Sequence, residues 1–466
     1  MKPEKAEYSY SFSDIESTPS SVRVTTINRV MPTSIKIAID DDEFLYRRHS
    51  WMEPLIADLV DIAVAVYVAD RLSLCQQSYQ QRSISVCLPL RHPEVFEQAN
   101  ICDLLSNTLY HFTHDEWAFH FSKRVKKGRM SELQTSIGEA PQWVEVALWS
   151  GGLDAFAGLN NRIEMHSSSF YTLFGTGSNL LIQSVQDRTA RQVRKIFPSQ
   201  NIKLEQVPFR LIKIDPVRQN STPRSRGFLF LLLGAVCAYL EGQNVLHVYE
   251  NGIGAINLPY LKSSTGLDHS RAVHPLSLAY MSDLVSAILG TEFVIRNPFL
   301  FWTKAQMCAL PVKLERHDLI ASTVTCDRRR RSQHIHCSRC SSCLLRRQAL
   351  LANGLQDQAY LVPSMRRVDG CVKPSDGAFL RAMLDQVEVL QRCITSQKPW
   401  EALAHEYPDL PSVAWSLAST HQGEQEEIEH HLVHLYQQYV SEWDIPGVRY
   451  QLSRQLLLDK EMSAFV

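Results

Sequence analysis

Short apolar segments alternate with helical segments from Val144 onward, and this alternation constrains the fold more than any other feature of the sequence. Segments of strand length are 144–149, 170–174, 202–211, 245–249 and the shorter 293–295. Segments with helical spacing lie between them and begin near Phe156, Ser178 and Arg226. Strands that alternate with helices predict a parallel, doubly wound α/β sheet.

Glycine-containing turns follow three of these strands, at Ser150–Asp154, Gly175–Gly177 and Asn251–Gly254. The carboxyl ends of parallel strands meet at one edge of the sheet, and open α/β sheets bind their ligands there. We therefore expect the three turns to line one edge, which is the predicted ligand site.

The chain has 466 residues, which predicts two or three domains rather than one. We place an N-terminal α+β domain at residues 1–140, the doubly wound domain at 141–350 and a helical C-terminal region at 351–466. Residues 1–35 are rich in Ser, Thr and Pro, so we expect a loosely ordered lead-in. The Glu-, His- and Gln-rich segment 424–439 is expected to be a solvated helix.

Composition argues against several classes of protein. The formal net charge is −1, so the overall charge gives no reason to expect nucleic-acid or membrane binding. The longest apolar run, 227–240, is shorter than the ~18 residues of a spanning helix and is expected to be a buried helix. The first residues are polar and lack the apolar segment of a signal peptide. A cytoplasmic location is the resulting expectation.

The turn Ser150-Gly151-Gly152-Leu153-Asp154 lies between a predicted strand and a predicted helix. Its glycines let the backbone approach an anion and adopt positive φ angles. The N–H groups and dipole of the following helix favour the same anion, and Ser150 adds a hydroxyl group. Because Asp154 would repel a bare phosphate, the turn predicts a nucleotide bound with Mg²⁺. An ordinary strand-to-helix turn is the alternative, since the sequence has neither the Lys-Ser/Thr ending of a P-loop nor Gly-x-Gly-x-x-Gly.

Four of the eleven cysteines lie close together, at Cys326, Cys337, Cys340 and Cys343. The last three form Cys-x-x-Cys-x-x-Cys, whose thiolates converge from one tight turn, and the first can complete a tetrahedron. Arginines at 328–331, 339, 346 and 347 would offset the charge of a zinc tetrathiolate. A structural Zn²⁺ is the favoured interpretation. An iron–sulfur cluster and chance clustering are the alternatives, with His334 and His336 as spare ligands.

The Ser-Gly-Gly-Leu-Asp loop resembles the Ser-Gly-Gly-x-Asp-Ser signature of the PP-loop ATP pyrophosphatases, and on one doubly wound domain it occurs in combination with the cysteine cluster. Among them, the combination is similar to 7-cyano-7-deazaguanine synthase, the QueC family. Segments 224–227, 250–252 and 336–347 also look similar to that family, so the resemblance covers roughly residues 143–350. One departure is Ala155, where the PP-loop motif ends in Ser. The longer layout resembles the QatC-type branch of bacterial anti-phage defence systems.

The resemblance implies an adenine nucleotide alpha hydrolase-like fold that uses ATP, Mg²⁺ and Zn²⁺. It also implies activation of 7-carboxy-7-deazaguanine, or a related carboxylate, as an acyl adenylate from which a nitrogen nucleophile displaces AMP. In the synthase the nucleophile is ammonia, and a second ATP drives dehydration of the amide to a nitrile. In the defence branch it would be an amine on a partner protein from the same operon.

Ser150 and Asp154 are assigned both to ATP binding and to catalysis. Arg224 and Arg226 precede a predicted helix, which suggests that they clamp phosphates. We assign Arg224 to ATP and Arg226 to catalysis, and a solvated helix start is the alternative for both.

Further candidates lie at other strand ends and helix starts. Glu250 is expected to bind a purine-like N–H edge or Mg²⁺ and to take part in catalysis, with a surface carboxylate as the alternative. Asn251 is assigned to the same substrate. His274 and Lys304 are also assigned to it, with an ordinary solvated side chain as the alternative for both.

Other functions stay open at this level. One alternative is an enzyme that makes a free nitrile or amide for nucleic-acid modification. Another is a degenerate scaffold that only holds nucleotide, which the missing serine at Ala155 would allow. A sulfur-transfer or tRNA-modifying enzyme is disfavoured, because the other cysteines include no second Cys-x-x-Cys pair.

Overall fold

A computed structural model gives the fold of most of the chain. It describes residues 6–13, 21–26, 34–39, 52–74, 81–124, 143–166, 170–177, 180–212, 219–220, 223–260, 271–326, 336–338, 340–357, 378–421 and 424–453. Within these ranges, no helix combines the length and the apolar character needed to span a membrane.

The strands of the described residues are β1 (Ala6–Ser13), β2 (Ser21–Thr26), β3 (Ser34–Ile39), β4 (Arg82–Leu90), β5 (Glu116–Lys123), β6 (Val144–Leu148), β7 (Phe170–Gly177), β8 (Ile202–Ile212), β9 (Val245–His247) and β10 (Val294–Arg296). The helices are α1 (Pro54–Leu72), α2 (Pro93–Phe96), α3 (Ala99–Thr113), α4 (Leu153–Met165), α5 (Leu180–Ile196), α6 (Arg226–Leu240), α7 (Gly252–Ile256), α8 (Pro275–Leu289), α9 (Lys304–Lys313), α10 (His317–Ser322), α11 (Ser341–Ala352), α12 (Ala378–Ile394), α13 (Pro399–Glu406), α14 (Leu410–His421) and α15 (Gln425–Asp444).

These strands form one sheet in the order β10-β9-β6-β7-β8-β3-β2-β1-β4-β5. The five strands from β10 to β8 pair in parallel, which confirms the α/β sheet predicted from the alternation. β3 pairs antiparallel with β8, with Ile39 opposite Phe209, so the front strands extend the same sheet. The division of the chain at residues 140 and 350 stays a prediction.

Alternate residues of β6 belong to two separate cores. Val144 and Val146 lie in a core with residues of α1, α3, α6 and α8. Ala147 lies in another core, with residues of α4, α5, α9 and α10. Helices therefore cover both faces of the parallel strands, as the apolar sequence of such strands requires. Most of the apolar run 227–240 is buried within α6, as predicted, and Phe230 and Tyr239 are partly buried.

The expectation of a loosely ordered lead-in before residue 35 is wrong where the structure describes this segment. β1 pairs with both β2 and β4, and Tyr10 and Phe12 are buried. Tyr8, Tyr10 and Phe12 alternate with serines. Because strand side chains point to opposite faces in turn, this pattern buries one face of β1 despite the polar composition of the region.

The expectation of a solvated helix at 424–439 is also wrong for one face of α15. Leu432, Leu435, Tyr436, Tyr439 and Trp443 are buried. They lie in a third core with residues of α7, α11 and the helices α12–α14. Their spacing of mostly three and four residues makes α15 amphipathic. One face of α15 therefore packs inward, against elements that carry predicted site residues.

Candidate functional site

The turn Ser150–Asp154 joins β6 to α4, as the sequence predicts. Gly151 has a φ of 69°, a left-handed conformation that favours glycine. Gly152 precedes α4, and its N–H donates to Oγ of Ser150 over 3.1 Å. A side chain on Gly151 would place its Cβ 2.9 Å from Cγ1 of Val185 in α5. Backbone conformation and packing therefore both require glycine at position 151.

Asp154, in the first turn of α4, is the centre of the candidate site. Its Oδ2 lies 2.6 Å from Nζ of Lys304. Its Oδ1 accepts from Nδ2 of Asn251 over 2.9 Å, and the same amide donates to Oε1 of Glu250 over 2.7 Å. We call these four residues the Asp154 cluster. The structure thus brings together four residues that were predicted separately, from a loop, a strand end and a helix start.

Burial and the charges of neighbouring groups together set the protonation of the Asp154 cluster. Burial, together with the charge of Asp154, raises the pKa of Glu250 to about 8. Burial opposes the charged form of Lys304, but Asp154 and Glu250 outweigh it and raise the pKa of the lysine above its ordinary value. At neutral pH we therefore expect a charged Lys304 and a proton on Glu250, which a bound cation would displace.

Lys304 is placed by the start of α9. Thr303 and Gln306 form a capping box there, with each side chain bonded to the backbone N–H of the other residue. The hydroxyl of Thr303 also donates to Oε1 of Glu442, a buried residue of α15. Oε2 of Glu442 accepts from Nε2 of Gln348 over 3.3 Å. A side chain of α15 therefore holds Thr303, the residue before Lys304, in place.

Glu442 is expected to make the stability of the protein depend on pH. Burial raises its pKa to about 7, although hydrogen bonds from Thr303 and Gln348 oppose the shift. A carboxyl with a raised folded pKa contributes stability that is full below its unfolded pKa and is lost as pH rises through the folded pKa. Between about pH 5 and about pH 8, wild type should lose about 2 kcal/mol that Glu442→Gln does not lose.

Thermal unfolding of wild type and Glu442→Gln across that pH range tests this expectation. Glu427→Gln, an exposed substitution on the same helix, is the matched control and should keep the wild-type slope. Equal slopes for Glu442→Gln and wild type would contradict the prediction.

Glu250 and Asn251 follow β9 and are held by neighbouring loops. The side-chain oxygen of Asn251 caps α7 by accepting a backbone N–H. Asn297 donates from Nδ2 to the carbonyl oxygen of Glu250 over 2.9 Å. A Cβ on Gly252 would lie 1.9 Å from the carbonyl oxygen of Leu300, so no other residue fits there. These contacts fix the loop that turns both site side chains toward Asp154.

The structure does not bring Arg224 or Arg226 into the Asp154 cluster. Arg224 donates from Nη1 to the carbonyl oxygen of Thr113 over 3.0 Å, and the same atom lies 3.6 Å from Oδ1 of Asp115. The exposed Arg226 has its guanidinium 5.8 Å from the ring centroid of Phe230. The contacts of Arg224 are to the front of the chain, so the phosphate roles assigned to both residues gain no support from the geometry.

His274 also lies outside the Asp154 cluster. Its Nδ1 accepts from the N–H of Leu276 over 3.3 Å, which makes it the cap of α8. Its ring lies 6.0 Å from that of His111, centroid to centroid. Burial and the nearby Arg271 lower the pKa of His274 to about 3, so the ring is neutral. The observed contacts are those of a helix cap rather than of a substrate ligand.

The Sγ atoms of Cys326, Cys337, Cys340 and Cys343 all lie within 4.8 Å of one another. Cys337 and Cys343 are separated by 3.9 Å between sulfurs. This is close to the edge of about 3.8 Å that follows from zinc–sulfur bonds of about 2.3 Å in a tetrahedron. The four side chains therefore fit a tetrahedral metal ion, as the spacing predicts.

The other predicted neighbours of the cysteines have different roles. Nε2 of His336 accepts from the N–H of Thr325 over 3.2 Å, so this ring is engaged with the backbone. Nε of Arg346 donates to Oδ2 of Asp357 over 2.6 Å, so its charge is balanced there rather than by the thiolates. The predicted roles of 328–331, Arg339 and His334 lie outside the described residues.

Sequence reasoning missed two residues that organise the site, Asn297 and Glu442, and it gave a third, Arg346, a different role. Asn297 was readable in principle, since Asn-Pro after a strand is a turn signal. Glu442 gave no usable signal, because a charged residue in a helical pattern is normally solvated. Arg346 was predicted to offset thiolate charge, and its hydrogen bonds to Thr323 and Ile320 were not predicted. Glu442 and Arg346 are both buried and bind groups far away in sequence.

Comparison with known proteins gives one partial match. Residues 276–354 match the family model of the queuosine biosynthesis protein QueC. The matched stretch contains Lys304 and all four clustered cysteines, whereas Ser150–Asp154 and Glu250 lie outside it. No curated protein matches the chain. The chain therefore carries a QueC-like segment that covers well under half of its length.

Proposed function

We propose that the chain is an ATP-dependent enzyme that adenylates a carboxylate of the 7-carboxy-7-deazaguanine type and then forms a C–N bond. The Asp154 cluster carries this proposal. It joins the Ser-Gly-Gly-Leu-Asp loop, outside the QueC-like segment, to Lys304, inside that segment. The proposed nucleotide-binding turn and the QueC-like segment are thus joined by one buried ion pair.

The proposed chemistry needs positioning and charge neutralisation more than a side-chain nucleophile. A carboxylate oxygen of the substrate attacks the α-phosphorus of ATP, and pyrophosphate leaves with the electron pair of the broken P–O bond. A nitrogen nucleophile then attacks the acyl carbon, loses a proton, and AMP leaves. In this proposal the backbone of 150–153 and the start of α4 hold the phosphates.

The Asp154 cluster fits a divalent cation. Two carboxylates face one amide and one ammonium, and burial, together with the charge of Asp154, raises the pKa of Glu250 so that it keeps a proton at neutral pH. Carboxylate oxygens are the side-chain ligands that Mg²⁺ prefers, and it takes its remaining ligands from substrate phosphates and water. Asp154 and Glu250 would hold the ion, and Mg²⁺ would neutralise phosphate charge when bound. Lys304 would then orient Asp154 and add positive charge beside the phosphates.

We further propose that the nitrogen nucleophile is an amine on a partner protein, within an anti-phage defence system. The front strands support this, because they extend the sheet beyond the strands that the ATP chemistry needs. Release of a free nitrile or amide is the alternative product. A non-catalytic nucleotide scaffold is the other alternative, since Ala155 is buried and supplies no hydroxyl to the loop.

One experiment separates these outcomes. The purified chain is incubated with ATP, Mg²⁺ and 7-carboxy-7-deazaguanine, with and without the proteins encoded beside it, while AMP and intact protein masses are followed. AMP with a mass increase on a neighbouring protein supports conjugation. AMP with a free nitrile or amide supports the free-product reaction. Absence of AMP under all conditions would overturn the enzymatic proposal and leave the scaffold.

A further inference from the structure

A short connector, residues 323–326, follows α10 and lies against the Ser150–Asp154 turn. The N–H of Val324 donates to the carbonyl oxygen of Gly151 over 3.2 Å. A Cβ built on Gly152 would lie 3.5 Å from the carbonyl oxygen of Val324. Backbone atoms of one connector residue therefore approach both glycines of the turn.

Arg346 of α11 holds the connector on either side of Val324. Its Nη1 donates to Oγ1 of Thr323 over 2.6 Å and to Oγ1 of Thr325 over 3.2 Å. Its Nη2 donates to the carbonyl oxygen of Ile320 over 2.7 Å. The whole side chain is buried, and Asp357 accepts from its third nitrogen. A guanidinium buried with this many donors engaged has little freedom to move.

A metal bound by the cysteine cluster would attach the same connector to the same helix. Cys326 is the last residue of the connector, and Cys343 lies in the first turn of α11, one turn before Arg346. A metal bound by the four sulfurs would therefore tie the end of the connector to α11, while Arg346 ties its middle. Two attachments to one helix fix both the position and the direction of a short extended segment.

We infer that Arg346 and the metal-binding cysteines together hold Val324 against Gly151, so that the metal site sets how tightly the turn binds nucleotide. Arg346 is then a positioning residue, and the cysteines have a role beyond stapling the fold. The nucleotide part of this inference rests on the proposed function. The contact of Val324 with the turn does not rest on the proposed function, and it can be measured separately.

The test follows hydrogen exchange and nucleotide binding in the full-length chain. Wild type is compared with Arg346→Lys, with Cys326→Ser and with wild type stripped by a chelator. Arg191→Lys, at an exposed surface pair on α5, is the matched control. We expect the Val324 amide to exchange at least about tenfold faster in the three perturbed proteins, with β4 unchanged. The dissociation constant for MgATP should rise at least about tenfold.

The possible results separate the inference from the proposed function. Wild-type exchange at Val324 in both Arg346→Lys and the stripped protein would overturn the inference, even if MgATP binds. Faster exchange in all segments of a variant would mean that the variant is generally unfolded. Exchange at Val324 in the stripped wild type would then decide whether the inference holds. If wild type binds no MgATP, the proposed function fails, and so does the inference that the metal site sets the affinity of the turn for nucleotide. The exchange data would still decide whether the metal positions the turn.

Discussion

Replacing Asp154 by Asn is expected to reduce AMP formation at least about a thousandfold, which is the scale of losing a central electrostatic group. The substitution keeps the shape of the side chain and removes its charge. Lys304 then loses its buried carboxylate partner, and the proposed cation site keeps only Glu250. MgATP binding and AMP release should both fall, because one group serves both.

Asp187→Asn is the matched control for this experiment. Asp187 lies on α5, which packs beside the turn, but its carboxylate pairs with Arg191 at the surface. Circular dichroism and melting temperatures of both variants establish that they fold. AMP formation by folded Asp154→Asn within tenfold of wild type would remove the Asp154 cluster from the mechanism.

Replacing Cys340 by Ser is expected to lower metal content and to destabilise the fold strongly, because a structural tetrathiolate contributes its binding energy to folding. Cys340 is buried at the start of α11 and its thiolate would complete the tetrahedron. We expect about one zinc per chain in wild type and clearly less in the variant, with a lower melting temperature and poorer solubility.

Cys102→Ser, on α3 and outside the cluster, should leave both metal content and melting temperature unchanged. Metal analysis also separates zinc from the alternative iron–sulfur cluster, which would add iron and visible colour. Wild-type metal content and melting temperature in Cys340→Ser would mean that the four sulfurs are close for another reason.

The parallel sheet and the edge that carries the Asp154 cluster were predictable because both follow from local patterns. The spacing of apolar residues distinguishes strands from helices, and parallel pairing then aligns the strand ends. The Ser150–Asp154 turn, Glu250 and Asn251 were found in this way. The cysteine cluster was predictable for the same reason, since three of its four members lie within a segment of seven residues, 337–343.

The remaining features depend on contacts between distant segments. Arg224 has the pattern of a phosphate clamp, but Asp115 and a carbonyl of the front region engage it instead. The residues around Lys304 in sequence say little about its role. It reaches Asp154 because α9 packs beside α4 and because Glu442 accepts a hydrogen bond from Thr303, the N-cap residue of α9. No periodicity within α9 or α15 encodes that docking. Buried charged residues are read as solvated when only their neighbours in sequence are known.

The antiparallel pairing of β3 with β8 has a consequence for how the chain folds as it is made. Ile39 of β3 is synthesised long before Phe209 of β8, so the edge of β3 that pairs with β8 has no partner until β8 has been made. At about 5–20 residues per second on the ribosome, the delay is on the order of ten seconds. During this time β3 offers an open edge, to which a nascent neighbour can pair and begin aggregation. We expect slow synthesis between these strands to favour insoluble product, and early chaperone binding to relieve it.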